Sequence, residues 1–361
     1  MRFVPVNCIR EGAKLGKTLL GVNGEVLLKA NTELKKTYIK RILTMGVQGV
    51  YISDELSEDI EVQNIISSEL RMSAVKRVRT VFNQVSTESP KKGDSQHVAE
   101  ALEMIDNIVD EILSNASTMV NVVDIKVFDE YTFYHCLNVT VMSVVLGMGL
   151  GFSREKLCKL AYGALLHDVG KVFVDKDILD KNAILSGEEL THVRRHPVEG
   201  YLYLRERYHM AEISARGVLE HHERFDGSGY PKKRVGKEIS EFGRIIAVAD
   251  VYDALTSDRP YRRALFTTEA TEYILGGSGR MFDPEVVEVF SRKFAPFPAG
   301  TVVMLSNGST ALVMRNVEGH SQRPVVRVFA HEDRGAVKPY VIDLSQDRDA
   351  LGITIVATVA M

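Results

Sequence analysis

Cysteine is scarce in this chain, and the three present cannot staple it. Cys8, Cys136 and Cys158 show no C-x-x-C spacing of a zinc or redox site. Nothing suggests a disulfide framework, so a reducing cytoplasm is the expected compartment. Charge of one sign is also lacking. The net charge is -3, which leaves no global basic field of the kind that nucleic-acid polymers select. A small anionic ligand would need a local positive pocket instead. The N-terminus has no apolar h-region of a signal peptide. The most apolar stretch, Leu137 to Phe152, is short for a membrane span and is interrupted by Asn138, Thr140 and Ser143, so it reads as a buried core helix and no membrane is expected. Internal repeats and low-complexity tracts are missing as well.

What is present is an ordinary globular balance. Apolar residues make up 45% and charged residues 26% of 361, enough for two or three domains with a real core. Residues 1–55 read as a small β-rich module with one helix. Gly21–Glu25 reads as a hairpin turn there, Thr32 to Met45 has helical spacing, and Val47 to Ile52 reads as a strand. Residues 56–119 are polar with helical periodicity, broken at Ser89-Pro90-Lys91-Lys92-Gly93, and read as a helical linker.

Residues 120–295 form a run of helical segments: Asp129 to Leu146, Arg154 to His167, one opened by the Ser186/Glu189 capping box, Ala211 to Glu223, and Gly243 to Ser257. Residues 296–361 hold five short β-branched or aromatic runs separated by turn residues, an antiparallel β-module. The expected fold class is therefore mainly α: a central all-helical bundle flanked by small β-rich N-terminal and C-terminal modules.

The central helices carry an unusual set of His and Asp: His135, His167, Asp168, His196, His221, His222 and Asp250. Helices that pack together can aim such residues at one point. Imidazole and carboxylate suit Fe, Mn, Zn or Co. Seven candidates exceed the needs of one catalytic metal with an open position. They suit two metals bridged by a carboxylate and a water, an arrangement that activates water for phosphoryl displacement. A lone His on a helix is usually a core or surface residue, and His97, His192, His209, His320 and His331 keep that reading. Arg194, Arg195, Lys232 and Lys233 read as solvated charges.

Four blocks of this sequence resemble the HD-GYP family. His167-Asp168-Val169-Gly170-Lys171 matches its H-D-x-G-K, and His196-Pro197-x-x-Gly200 its H-P-x-x-G. The run His221 to Pro231 is similar to the family's naming loop, and Ala249 to Arg262 to the block that closes the site. The resemblance covers about residues 120–295 and implies an HD-type bundle. It also implies hydrolysis of cyclic di-GMP to linear pGpG, or onward to GMP, by metal-bound hydroxide at a cluster of two or three divalent metals, with iron or manganese favoured over zinc or cobalt. It implies the seven residues above as ligands, Asp168 bridging, and Lys171 beside the scissile phosphate. Arg259 and Arg262 would hold phosphate oxygens, and Gly229, Tyr230 and Pro231 would line the substrate site and offer a docking loop to a partner protein. A homodimer is a further expectation.

One departure is informative. Members with three metals carry a Glu four residues before the first ligand His, and here that position is Tyr131. The reading is a two-metal site with pGpG as the main product. Two other readings stay open: hydrolysis of another cyclic dinucleotide such as cyclic GMP-AMP, and a sensor that binds cyclic di-GMP without cleaving it.

Overall fold

The computed structural model describes the chain except residues 22–24, 46, 48, 63, 87–93, 116–118, 120–130, 180, 182, 258–263 and 361, and except the side chains of residues 86, 94–99, 102 and 131. The chain forms two compact units. One gathers Met1–Ile65 with Arg292–Met361, and the other gathers Ile66–Ala116 with Tyr131–Ser291.

The first unit is β-rich. Strands β1 (Arg2–Pro5), β2 (Lys14–Leu15) and β5 (Gly49–Ser53) form an antiparallel sheet in the order β1-β5-β2. Strands β3 (Leu19–Leu20) and β4 (Val26–Leu28) pair separately, and helix α1 (Lys36–Thr44) joins them to β5. The middle strand β5 buries Val50, Tyr51 and Ile52 in succession, as a strand covered on both faces does. Leu15, Leu34 and Ile42 complete this core.

A second sheet in the same unit has the order β10-β6-β7-β8-β9, with β6 (Val302–Leu305), β7 (Ser309–Arg315), β8 (Val325–His331), β9 (Gly335–Asp343) and β10 (Ile355–Thr358) all antiparallel to their neighbours. Gly308, at φ +78, turns β6 into β7, a conformation that disfavours other residues. The two β-modules, far apart in sequence, meet through Arg327, whose guanidinium bonds both Asp59 carboxylate oxygens and the Leu56 carbonyl. The turn expected at Gly21–Glu25 and the break expected at Ser89–Gly93 lie largely outside the described residues.

The second unit is the helical bundle: α2 (Ser68–Ser86), α3 (Asp94–Ser114), α4 (Tyr131–Gly149), α5 (Arg154–Leu165), α6 (Lys176–Leu179), α7 (Gly187–Val193), α8 (His196–Arg207), α9 (Glu212–Glu220), α10 (Glu241–Thr256), α11 (Thr267–Gly276) and α12 (Pro284–Lys293). Helix α4 is the centre and packs against α2, α3, α5 and α10. It is long and apolar enough to cross a membrane by length and composition, and 72% of that window is buried inside the fold. It is the core helix expected from Leu137 to Phe152. Leu137, Val141 and Leu146 are fully enclosed, and truncating either leucine to alanine costs about 2–5 kcal/mol.

The stretch expected as a linker over 56–119 contributes α2 and α3, which pack on each other and on α4 and α5. The Ser186/Glu189 capping box is present, with Ser186 N–H donating to the Glu189 carboxylate at 2.7 Å and Glu189 N–H to Ser186 Oγ at 3.2 Å. The fold class is the one read from sequence: mainly helical, with small antiparallel sheets toward both chain ends.

Candidate metal centre

Every one of the seven His and Asp residues singled out from sequence is brought to one place in the bundle. Each comes from a helix or the end of one. His135 projects from α4, and Asp250 from α10. His167 and Asp168 follow α5, where the chain tightens into a 3-10 turn over Val169–Phe173. His196 opens α8, and His221 and His222 follow α9.

Backbone contact sets this geometry. A Cβ on Gly170 would stand 1.9 Å from the His196 carbonyl oxygen and 2.7 Å from the Gly200 nitrogen. Only glycine lets the turn after Asp168 approach the start of α8 so closely. That explains both glycines of the H-D-x-G-K and H-P-x-x-G blocks.

The donor atoms fall into two groups, each within 4.8 Å internally: Asp168, His196, His221 and His222 in one, His135, His167 and Asp250 in the other. Asp168 stands between them. Its Oδ1 lies 3.3 Å from His196 Nε2 and 4.0 Å from His221 Nε2, and its Oδ2 lies 3.4 Å from His167 Nε2 and 3.6 Å from His135 Nε2. One carboxylate oxygen faces each group. His135 Nε2 is also 3.2 Å from Asp250 Oδ1, and His222 Nδ1 is 3.8 Å from Asp250 Oδ2.

The imidazoles are oriented by a repeated device. Nδ1 of His167, His196 and His221 lies 2.8, 2.8 and 2.7 Å from the carbonyl of Ala164, Val193 and Val218, each three residues earlier. A carbonyl only accepts, so the proton sits on Nδ1 and the Nε2 lone pair faces the cluster. For His135 the same service comes from Asp253 Oδ2, 2.7 Å from Nδ1. Asp253 Oδ1 accepts from Asn138 Nδ2 at 2.9 Å, and Asn138 Oδ1 accepts from Arg71 at 3.3 Å.

Ligating histidines characteristically have such supports behind them. Asp253 and Asn138 were not read as site residues. The available signal was spacing: each stands three residues after a candidate ligand on its own helix, so it shares a face with it.

Electrostatics agree with a cation site. Burial alone would raise the Asp168 carboxyl, but Lys171 and His167 outweigh it and hold Asp168 well below the usual range. Asp250 is held low in the same way, chiefly by His135 against its own burial. Burial and neighbouring imidazoles push His221 well down, and burial pushes His222 to about 3. His135 goes the other way, to about 9, because Asp250 and Asp253 overcome its burial. Ionised Asp168 and Asp250 beside the neutral imidazoles of His221 and His222 are donors that divalent transition metals take, and a bound cation would displace the proton that Asp250 and Asp253 favour on His135. His167 Nε2 and Asp168 Oδ1 are buried with no hydrogen-bond partner, an expensive state for polar atoms unless they have another use. The residues present therefore fit two metal ions.

Around this cluster, Lys171 Nζ is 2.6 Å from Asp168 Oδ2. Tyr230 stacks on His222, with ring centroids 4.8 Å apart and an interplanar angle of 29°. Gly229 packs so tightly that a Cβ would fall 2.3 Å from the Arg224 nitrogen. The loop that follows is pinned by buried Glu223, whose carboxylate accepts from Lys232 N–H at 2.5 Å and Arg234 N–H at 3.1 Å, with Pro231 between them and the stacked Tyr230. Glu223 is another residue with no assigned role in the sequence reading. Arg259 and Arg262 lie outside the described residues, as does the Tyr131 side chain. His192 is exposed on α7 and takes no part in the cluster, so of the two histidines at that helix junction the site uses His196.

Fold and site together define a helical bundle built around a His/Asp cluster that could hold metal. Residues 97–286, more than half of the chain, match the HD domain, and the chain belongs to that family. A cyclic di-GMP phosphodiesterase of Pseudomonas aeruginosa, PA4108, is 32% identical over 257 residues, covering 71% of this chain and 62% of its own length. A 3'3'-cGAMP-specific phosphodiesterase of Vibrio cholerae is 36% identical over 191 residues, covering 51% of this chain and 42% of its own. The chain thus spans less than two thirds of each. Among solved structures, the HDG"Y"P protein Bd1817 of Bdellovibrio bacteriovorus shares the fold, with a TM-score of 0.53 at 18% identity over 80% of this chain and 97% of its own.

Proposed function

We propose that this chain is a metal-dependent phosphodiesterase that opens cyclic di-GMP to linear pGpG. The observation that carries the reading is the Asp168 carboxylate, with one oxygen toward His196 and His221 and the other toward His135 and His167. A bridging ligand between two metals needs that disposition. His196, His221 and His222 would hold one ion, His135, His167 and Asp250 the other, with Asp168 shared. When bound, two such ions supply an activated water and neutralise charge on phosphoryl oxygens.

The chain's own groups do the rest. The Lys171 ammonium, already at the edge of the cluster, neutralises charge developing on the equatorial oxygens as the new P–O bond forms in line and the 3′ oxygen leaves. Tyr230, mounted on His222, walls the substrate side and excludes water. Iron or manganese suits the imidazole-rich set, and cellular supply chooses between them and zinc or cobalt. Tyr131 brings no carboxylate to a third ion, which favours stopping at pGpG.

The named relatives support the substrate assignment, and the Vibrio cholerae relative keeps cyclic GMP-AMP as the second reading. The test is turnover of both dinucleotides by protein purified without oxygen, with metal content measured on the same sample and products separated by chromatography. Conversion of cyclic di-GMP to pGpG at two metals per chain is the expected result. A faster conversion of cyclic GMP-AMP would move the substrate assignment. Tight binding of cyclic di-GMP to fully metallated protein with no product would make the chain a sensor.

A further inference from the structure

Arg194 closes α7 two residues before His196, and sequence reasoning left it among solvated charges. Its guanidinium instead lies over the Tyr230 ring, 5.3 Å from the centroid. That ring is the one stacked on His222, at the edge of the metal cluster. The next residue shows the contrast. Arg195 is tied to Glu199 at 2.8 Å along the helix surface. Among the described residues, no carboxylate pairs with Arg194. One arginine is used in a surface ion pair, and the other is held uncompensated on the aromatic that borders the site.

An arginine lying on an aromatic ring is pre-organised. Its plane is fixed, and its N–H donors stay available for a phosphate fork. Lys171 already serves the phosphate at the cluster, 2.6 Å from Asp168. A cyclic dinucleotide carries a second phosphodiester that stands away from the metals when the first is being cleaved. In a chain of net charge -3, that second anion needs its own local cation. We propose that Arg194 is a substrate-binding residue that holds the uncleaved phosphate of the cyclic dinucleotide, with Tyr230 as its mount. The inference rests on the cyclic-dinucleotide reading given above. It adds a cation from α7 to those expected from the segment of Arg259 and Arg262.

The test compares four variants of the full chain. Calorimetry measures cyclic di-GMP affinity on chelator-treated protein, and steady-state kinetics is run on metal-loaded protein. Arg194→Ala weakens binding about tenfold, the size of one lost charge-assisted contact. Arg194→Lys keeps most of the affinity, Arg194→Gln does not, and Arg195→Ala binds as the unaltered chain does. In turnover, the Arg194→Ala loss falls mainly on KM, with kcat changed less. Arg194→Ala binding as tightly as Arg195→Ala would overturn the proposal, and so would Arg194→Gln binding as the unaltered chain does, since the contact would then need no charge. If the unaltered chain neither bound nor cleaved a cyclic dinucleotide, the functional reading would fall and this inference with it. Binding that ignored Arg194 would remove this inference alone.

Discussion

Asp253 Oδ2 lies 2.7 Å from Nδ1 of His135, across from α10 to α4, and its other oxygen accepts from Asn138. The carboxylate fixes the tautomer of a residue aimed at the cluster, without reaching the cluster itself. Asp253→Ala should leave His135 free to rotate and lower affinity for one of two metals about 10–100-fold. Metal content after dialysis against a graded chelator measures this. Retention of two ions at unaltered affinity would remove the supporting role.

Asp168 faces both groups of donors, so its loss should differ in kind from the loss of any one imidazole. Asp168→Ala is expected to abolish metal binding and turnover together, whereas His222→Ala should leave the group of His135, His167 and Asp250 able to take one ion. Elemental analysis beside an activity assay separates the two variants. An Asp168→Ala protein with full activity would make the bridge wrong.

Gly170 tests the backbone approach behind the site. An added Cβ would meet the His196 carbonyl at 1.9 Å, and the atoms it meets are backbone, which cannot step aside. Gly170→Ala should cost about 1–3 kcal/mol as an overpacked core and move Asp168 relative to His196. Thermal unfolding of the metal-free protein reads the first effect, and metal content reads the second. A variant as stable and as metal-rich as the parent would show that the turn has slack.

Cys158 offers a pH-dependent prediction away from the metals. Burial and the neighbouring Asp106 carboxylate, which accepts from its thiol at 3.2 Å, push the Cys158 thiol up to about 11. Both favour the protonated form, so the reactive thiolate is scarce below that pH. Alkylation at Cys158, followed by mass spectrometry of its peptide, should be slow at pH 8 and rise steeply toward pH 11. Asp106→Asn should shift the rise to lower pH. Fast labelling at pH 8 in the parent would contradict the assignment.

Much of the site was legible because its chemistry is written in residue types at helical positions. His135, His167, Asp168, His196, His221, His222 and Asp250 could be chosen as a set, since few other uses require so many imidazoles on successive buried helices. The bundle was legible for a related reason: apolar spacing and the Ser186 capping box are local signals. What stayed hidden depends on contacts between distant segments. Asp253 reads as one more helix acid until α10 meets α4. Glu223 reads as part of a loop until its carboxylate receives two backbone N–H groups. Arg194 reads as surface charge, identical in kind to Arg195, until the loop of Tyr230 folds beneath it.

The sequence by itself determined which groups could bind metal, because ligand chemistry belongs to side chains and survives any arrangement of the chain. It determined the helical and β-rich segments, because periodicity is local. Only the tertiary structure decided which oxygen of Asp168 faces which histidines, and which of two adjacent arginines is free to meet a ligand. Only the tertiary structure joined β-modules separated by a whole helical bundle in sequence. Those outcomes follow from packing: close approach at Gly170, burial of α4 and the pairing of Arg327 with Asp59 set directions and distances that no local pattern encodes.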